Sequence, residues 1–369
     1  MTTEVPVTDR VSAALSAVLD RGANDLAAIA PDATAMTRVA TSLVSGGKRF
    51  RARLAYWGWR AALTHGDLAA EPASDPGLAH VVTLATGLEL FHAAALVHDD
   101  IIDNSDTRRG TPSAHRQFHA HHLENRYAGS GTFYGTASAI LLGDLLLAWA
   151  DDQFVSTALA LPHDRAIDFA AELRTMRQDV TVGQFLDNHD TAAWGTIPLD
   201  SAIERAQRVV IYKSAKYSVE APLALGAIIG GASPAFLSAL RGFAVPLGFA
   251  FQLRDDVLGV FGDPSVTGKP AGDDLREGKR TVLLAIARER ADRSTRDTLD
   301  ELLGDPDLSG EQVAALCATL RSTGALDEVE ALIVRSRDRA MTVLGQMGLD
   351  GATERELSVL AAALTERTV

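Results

Sequence analysis

The sequence predicts an all-α protein. Long Ala- and Leu-rich stretches dominate the chain, with few β-branched alternations. The breaks between them are short and built from Gly, Pro, Ser and Asp. No series of strand-like segments appears. The 369 residues exceed the roughly 150 expected of one average domain. Yet no Pro/Gly/Ser spacer, charge block or internal repeat divides the chain, so 1–369 is expected to form a single domain. A hydrophobic content of 47% against 22% charged residues fits a large core.

Thr8 or Asp9 opens a helix over 9–30, and a second helix runs to the stop Ser45-Gly46-Gly47. Lys48 to Ala62 begins the next. Residues 65–77 read as a loop, and 78–103 as a long apolar helix ending in aspartates. A polar turn covers 104–112. Residues 119–135, rich in His, Gly and Ser, are expected to form a mobile surface segment. Helices follow at 136–160 and 163–187, a loop at 188–198, then helices at 200–219 and 221–231. A second long apolar helix spans 234–261, again ending in aspartates. Residues 262–278 form a Gly/Pro-rich loop, and amphipathic helices complete the chain.

A net charge of −13 excludes a general nucleic-acid binder, which needs a basic face. The single cysteine, Cys317, excludes an intramolecular disulfide and a cysteine metal cage, and fits a reducing cytoplasm. No secretory signal is read at the N-terminus. No uncharged apolar run of about 18 residues occurs, so no membrane span is expected.

The chemistry lies in two acidic clusters. Asp99-Asp100-Ile101-Ile102-Asp103 ends the first long helix, and Asp255-Asp256 closes the second. At 100° per residue, Asp99 and Asp103 stand about 40° apart, one turn removed, so their carboxylates can share an ion. Acids are unfavourable at a helix C-terminus unless something positive neutralises them. An all-oxygen donor set with no nearby Cys suits Mg²⁺. Arg108 and Arg109 follow the first cluster, and guanidinium forks match phosphate oxygens. Gly46-Gly47-Lys48-Arg49-Phe50-Arg51 adds a glycine-plus-basic element at a helix start, where backbone N–H groups favour anions. Around the second cluster stand Lys213-Ser214, Phe251-Gln252, Gly268-Lys269, Gly272-Asp273-Asp274-Leu275 and Gly278-Lys279-Arg280.

In this order the motifs resemble those of the trans-isoprenyl diphosphate synthases, or polyprenyl synthetases, over residues 43–290; the loop from Gly262 to Arg280 looks most like actinobacterial geranylgeranyl diphosphate synthases. The resemblance implies an antiparallel helical bundle around one deep central cavity, the isoprenoid synthase fold. It implies three Mg²⁺ ions, two held by Asp99 and Asp103 and one by Asp255, with Asp100 in the same motif and Asp256 in an outer layer. Arg108, Lys213, Lys269 and Lys279 would contact the allylic diphosphate. Lys48, Arg51, His92 and Arg109 would hold isopentenyl diphosphate, and Ser214 and Gln252 would line the reaction centre. A cytoplasmic homodimer is the family's usual state. Gly259 departs from the pattern, standing where the family has a fifth-position aspartate. A relaxed third-metal site is therefore expected, with Asp263 a candidate substitute.

Ala95, Ala94, Phe91 and Leu88 lie 4, 5, 8 and 11 residues before Asp99 and are read as lining its side of the helix. Two alanines remove the near floor, which leaves Phe91 as the first bulky block above Leu88. An isoprene unit is close in length to one helical turn of about 5.4 Å. A floor one turn deeper therefore predicts geranylgeranyl diphosphate, of 20 carbons; a farnesyl or longer product, or a weakly active regulatory subunit, are the alternatives. A class I terpene cyclase is disfavoured, because no Asn/Ser/Glu metal motif occurs late in the chain.

Overall fold

The structure, a computed structural model, describes residues 5–65, 77–108, 110–262 and 272–366. These are helical almost throughout and divide into two compact units, Met1–Leu173 with Pro222–Pro234, and Arg174–Ala221 with Ala235–Val369. The chain crosses between the units without a spacer.

The first unit contains α1 (Val7–Ile29), α2 (Thr34–Val44), α3 (Phe50–His65), α4 (Gly77–Ile102), α5 (Ala114–Glu124) and α6 (Gly131–Ala160). Helix α4 is apolar around most of its circumference, so it is buried on most sides and packs against α6, α3 and α1. Leu84, Leu88, Trp59, Leu142, Leu146 and Phe154 are fully buried around it. Helix α4 ends in a Schellman motif. Asn104 adopts a left-handed φ of 52°, Ser105 N–H donates to the Asp100 carbonyl at 2.9 Å, and Asn104 N–H donates to Ile101 at 3.3 Å. Thr107–Arg108 then pairs antiparallel with Thr111–Pro112 in a two-stranded hairpin.

The second unit receives the latter part of α7 (His163–Ala193), then α8 (Leu199–Val209) and a π-helical segment, Val210–Glu220. After α9 (Ala221–Ile229) come α10 (Pro234–Phe261), α11 (Asp273–Arg276), α12 (Val282–Arg290), α13 (Arg293–Leu302), α14 (Gly310–Ser322), α15 (Ala325–Gln346) and α16 (Gly351–Thr365). Helix α12 is the centre of this unit: Val282 to Ala287 are all buried, among side chains of α8, α10, α14 and α15. Caps set several helix starts. Thr281 accepts from Leu284 N–H, and Ser309 with Gln312 forms a capping box.

The all-α expectation holds, and the structure adds three details. Residues 119–135, expected to form a mobile surface segment, are the end of α5, a turn, and the start of α6. There His122, Tyr127 and Tyr134 pack their rings together, with centroids 5.4–5.8 Å apart. Helix α7 continues to Ala193, through much of the expected loop. By length and composition alone, α4, α6 and α10 are also apolar enough to cross a membrane, with a mean hydropathy of 1.4 each. The sequence rule demanded an uncharged run and passed over them, because each carries isolated charges such as Glu89, Asp144 or Arg241. Two-thirds of the α4 window (67%) is buried inside the protein.

Candidate active site

Each unit carries one acidic cluster, and both follow the same layout. In the first, Asp100 is fully buried while Asp99 and Asp103 are half-buried. In the second, Asp256 is buried and Asp255 is exposed. Adjacent carboxylates on a helix point about 100° apart, so one member of each pair turns into the protein and the other keeps access to water.

The buried members are held by named donors. Arg108, reaching back from the hairpin, donates from Nε to Asp100 at 2.8 Å and from a second nitrogen to the same oxygen; it also lies 3.6 Å from Asp99. Asp256 accepts from Gln252 Nε2 at 2.8 Å, and Gln252 Oε1 accepts from the Ser214 hydroxyl. Burial pushes the Asp256 carboxyl up to about 8. The Gln252 hydrogen bond and Lys279 oppose that shift, while the charges of Asp274 and Asp255 reinforce it. Ser214, Gln252 and Asp256 thus form a relay of hydrogen bonds linking the π-helix to α10.

The cations divide between the units as well. Lys213 is paired with Asp187 at 2.6 Å, Lys216 with Asp179, and Lys279 with Glu277 at 2.6 Å and Asp274 at 3.4 Å. In the first unit Lys48 is exposed, and Arg51 and His92 are half-buried. Arg49, in the same basic element, is structural. It joins Glu89 of α4 at 3.2 Å and caps the α2 carbonyl of Val44 at 2.6 Å. Its left-handed φ of 48° follows Gly46 and Gly47, both also at positive φ. Arg109, Asp263 and Lys269 lie outside the described residues.

On α4 a partly accessible stripe runs from Asp103 through Asp99, Leu96 and Ala95 to His92, and stops at the fully buried Leu88. Phe91, about 80° from Asp99 around the helix, is buried. Ala94, five residues before Asp99 and so about 140° of turn away, is fully buried.

Sequence reasoning passed over Glu277 and Asp274 as partners of Lys279. Asp274 stood within a quoted motif, and its role needed the position of Gly259. Gly183 is explained by packing: a Cβ there would lie 2.3 Å from the backbone nitrogen of Lys213.

Comparison with known proteins shows what the chain is similar to as a whole. The polyprenyl synthetase family model matches residues 33–320. A geranylfarnesyl diphosphate synthase from Aeropyrum pernix is 30% identical over 353 residues, covering 95% of this chain and 99% of that one. A chloroplastic geranylgeranyl pyrophosphate synthase from Arabidopsis thaliana is 32% identical over 292 residues, covering 76% and 72%. Among solved structures, geranylgeranyl pyrophosphate synthase from Corynebacterium glutamicum, complexed with isoprenyl diphosphate and magnesium, superposes with a TM-score of 0.88 at 37% identity, covering 98% of both chains. The expected all-α isoprenoid synthase fold is therefore the fold observed. With the family model spanning most of the sequence and both acidic motifs in place, the chain belongs to the polyprenyl synthetase family.

Proposed function

We propose that the protein is a short-chain trans-prenyltransferase that condenses isopentenyl diphosphate head-to-tail with an allylic diphosphate, using Mg²⁺ and giving mainly geranylgeranyl diphosphate. The observation that carries this is the repeated layout of an accessible aspartate beside a buried, hydrogen-bonded one, each flanked by cations. The donor set fits Mg²⁺. Every donor offered by Asp99, Asp103 and Asp255 is a carboxylate oxygen. Mg²⁺ characteristically takes one or two carboxylates and completes its shell with water and substrate phosphates. Asp99, Asp103 and Asp255 would hold it, at three ions in the full complex. Bound there, it would neutralise charge building on the leaving diphosphate.

The protein's own groups do the rest. Arg108, Lys213, Lys269 and Lys279 would bind the allylic diphosphate, and Lys48, Arg51, His92 and Arg109 the homoallylic one. Fixed cations stabilise the departing diphosphate as the allylic C–O bond breaks. The double bond of isopentenyl diphosphate attacks the allylic carbon, and a proton then leaves to the released diphosphate. Ser214, Gln252 and Asp256 fix one another, which keeps polar groups near the reacting carbon in set orientations. A soluble cytoplasmic homodimer is the form in which we expect this to operate.

One incubation tests the reading. Purified protein, Mg²⁺ and isopentenyl diphosphate are supplied with 5-, 10- or 15-carbon primers, and products are separated by length. Absence of any prenyl product from the chain alone would overturn it in favour of a regulatory subunit. The Aeropyrum relative's name supports a 25-carbon alternative. The burial of Phe91 and Leu88 below Ala95 favours 20 carbons. Phe91→Ala is expected to lengthen the product by one unit or more; an unchanged distribution would remove Phe91 as the floor.

A further inference from the structure

Gly259 lies four residues beyond Asp255 on α10, one turn along and about 40° around the helix. A glycine there removes a carboxylate from the second cluster, but the place is filled. An ideal Cβ on Gly259 would lie 1.8 Å from Asp274 Oδ2 and 2.4 Å from its Cγ. No side chain can share that space, so the Asp274 carboxylate rests directly on the bare backbone of α10.

The carboxylate is held there by its own element. Asp274 is buried in α11, whose start is set by Gly272 at a left-handed φ of 74°. The next residue, Leu275, is fully buried in the core of the second unit. Lys279 N–H donates to the Asp274 carbonyl at 3.1 Å, and Lys279 Nζ lies 3.4 Å from Oδ1. Asp274 thus stands against the end of α10 that carries Asp255, although it lies outside that helix.

We propose that Asp274 supplies the carboxylate the second cluster lacks at position 259, acting toward the same divalent cation as Asp255, and that glycine at 259 is what admits it. This assignment rests on the prenyltransferase reading above. It replaces the expectation of a relaxed third-metal site by one in which the missing group arrives from the following loop. It also sets the expected outcome of placing an aspartate at position 259. Gly259→Asp by itself displaces Asp274 and crowds a second charge into its place, so it is expected to weaken cation binding.

The test reads cation binding directly. The full-length protein is titrated with Mn²⁺ in the presence of inorganic diphosphate, with free Mn²⁺ followed by electron paramagnetic resonance. Asp274→Asn keeps the shape and removes the charge. It is expected to weaken one bound ion by about 10- to 100-fold, the usual cost of losing a group that orients a metal's ligands. Gly259→Ala is expected to do the same by pushing Asp274 away, and it keeps the question answerable if the Asn variant does not fold. The exchange Gly259→Asp with Asp274→Gly returns a carboxylate from the helix itself and is expected to recover most of the lost affinity. Circular dichroism and melting curves establish that each variant is folded. Wild-type titrations from the Asn and Ala variants, or no Mn²⁺ binding by the wild type, would overturn the assignment. The two readings fail separately. Asp274-dependent Mn²⁺ binding without prenyl products would sink the prenyltransferase reading alone. Prenyl products with Asp274-independent binding would sink the Asp274 assignment alone.

Discussion

Arg254 shows how single residues hold the site. It directly precedes Asp255, yet its side chain turns the other way, into a fork with Glu330 of α15 at 2.6 and 2.7 Å. Its Nε also donates to the Thr365 carbonyl at 3.0 Å, at the end of α16. The end of α10 is thereby pinned to two later helices. Removing one partner of a buried pair costs about 3–5 kcal/mol, and Glu330 is about one-third exposed, which lowers the figure. Arg254→Met is expected to lose about 2 kcal/mol of stability, read from the denaturation midpoint, and to lower turnover because Asp255 loses its anchor. An unchanged midpoint would show that the pair is only a surface contact. At this scale the sequence was legible where side-chain chemistry alone decides: the aspartates, lysines and arginines of the motifs could be named. It was not legible where one residue's meaning depends on another distant in sequence. Arg49 reads as one more cation of a basic element until Glu89 is seen opposite it. Gly259 reads as a loss until Asp274 is found in its place.

The π-helical segment Val210–Glu220 is the element that sequence reasoning could not see. Its residues follow an ordinary helical pattern, but its wider turn carries Lys213 and Ser214 of the proposed site. Such segments recur at functional sites, where the altered turn re-aims side chains. Two glycines explain how it is accommodated. Gly183 of α7 meets the backbone of Lys213, and a Cβ on Gly248 of α10 would lie 2.7 Å from Ala215 Cα and 2.8 Å from its carbonyl oxygen. Helices approach this closely only through bare backbone. Gly248→Ala must push α10 off the π-helix beside Ser214, at a cost of about 1–3 kcal/mol for overpacking. The expected result is a lower denaturation midpoint together with lost turnover, since the Ser214–Gln252 contact bridges these two elements. Full activity at wild-type stability would show that the close approach is not required. The long helices, in contrast, were legible, because α4 and α10 declare themselves by predominantly apolar composition over many turns. The hairpin after α4 was read as a turn, since two-residue strands leave no period to detect.

At the level of the whole molecule, α6 poses a question that neither unit's core answers. Phe133, Ile140, Leu141, Val155 and Leu159 are 75%, 43%, 60%, 57% and 82% exposed. At 100° per residue they fall within about 100° of one another around the helix. Exposed apolar side chains grouped in this way, with Asp144 and Asp151 among them, mark an interaction surface. A second copy of the chain is the occupant we propose, which accounts for a helix apolar enough to span a membrane yet only 33% buried in its most apolar window. His98, next to Asp99, ties this helix to the site. Its ring fills the space at Gly143 and lies 3.6 Å from Asp144. Burying a leucine contributes about 1.5–3 kcal/mol, and placing an unpaired carboxylate at such a point costs at least as much. The double variant Ile140→Asp, Leu141→Asp is therefore expected to weaken dimerisation by about 100-fold or more, each 1.4 kcal/mol being about tenfold. Light scattering coupled to size exclusion should show a wild-type dimer and a variant monomer with an unchanged circular dichroism spectrum. A monomeric wild type would remove the homodimer from the reading. A monomeric variant with full turnover would show that the α6 face assembles the protein without supporting the Asp99 end of α4.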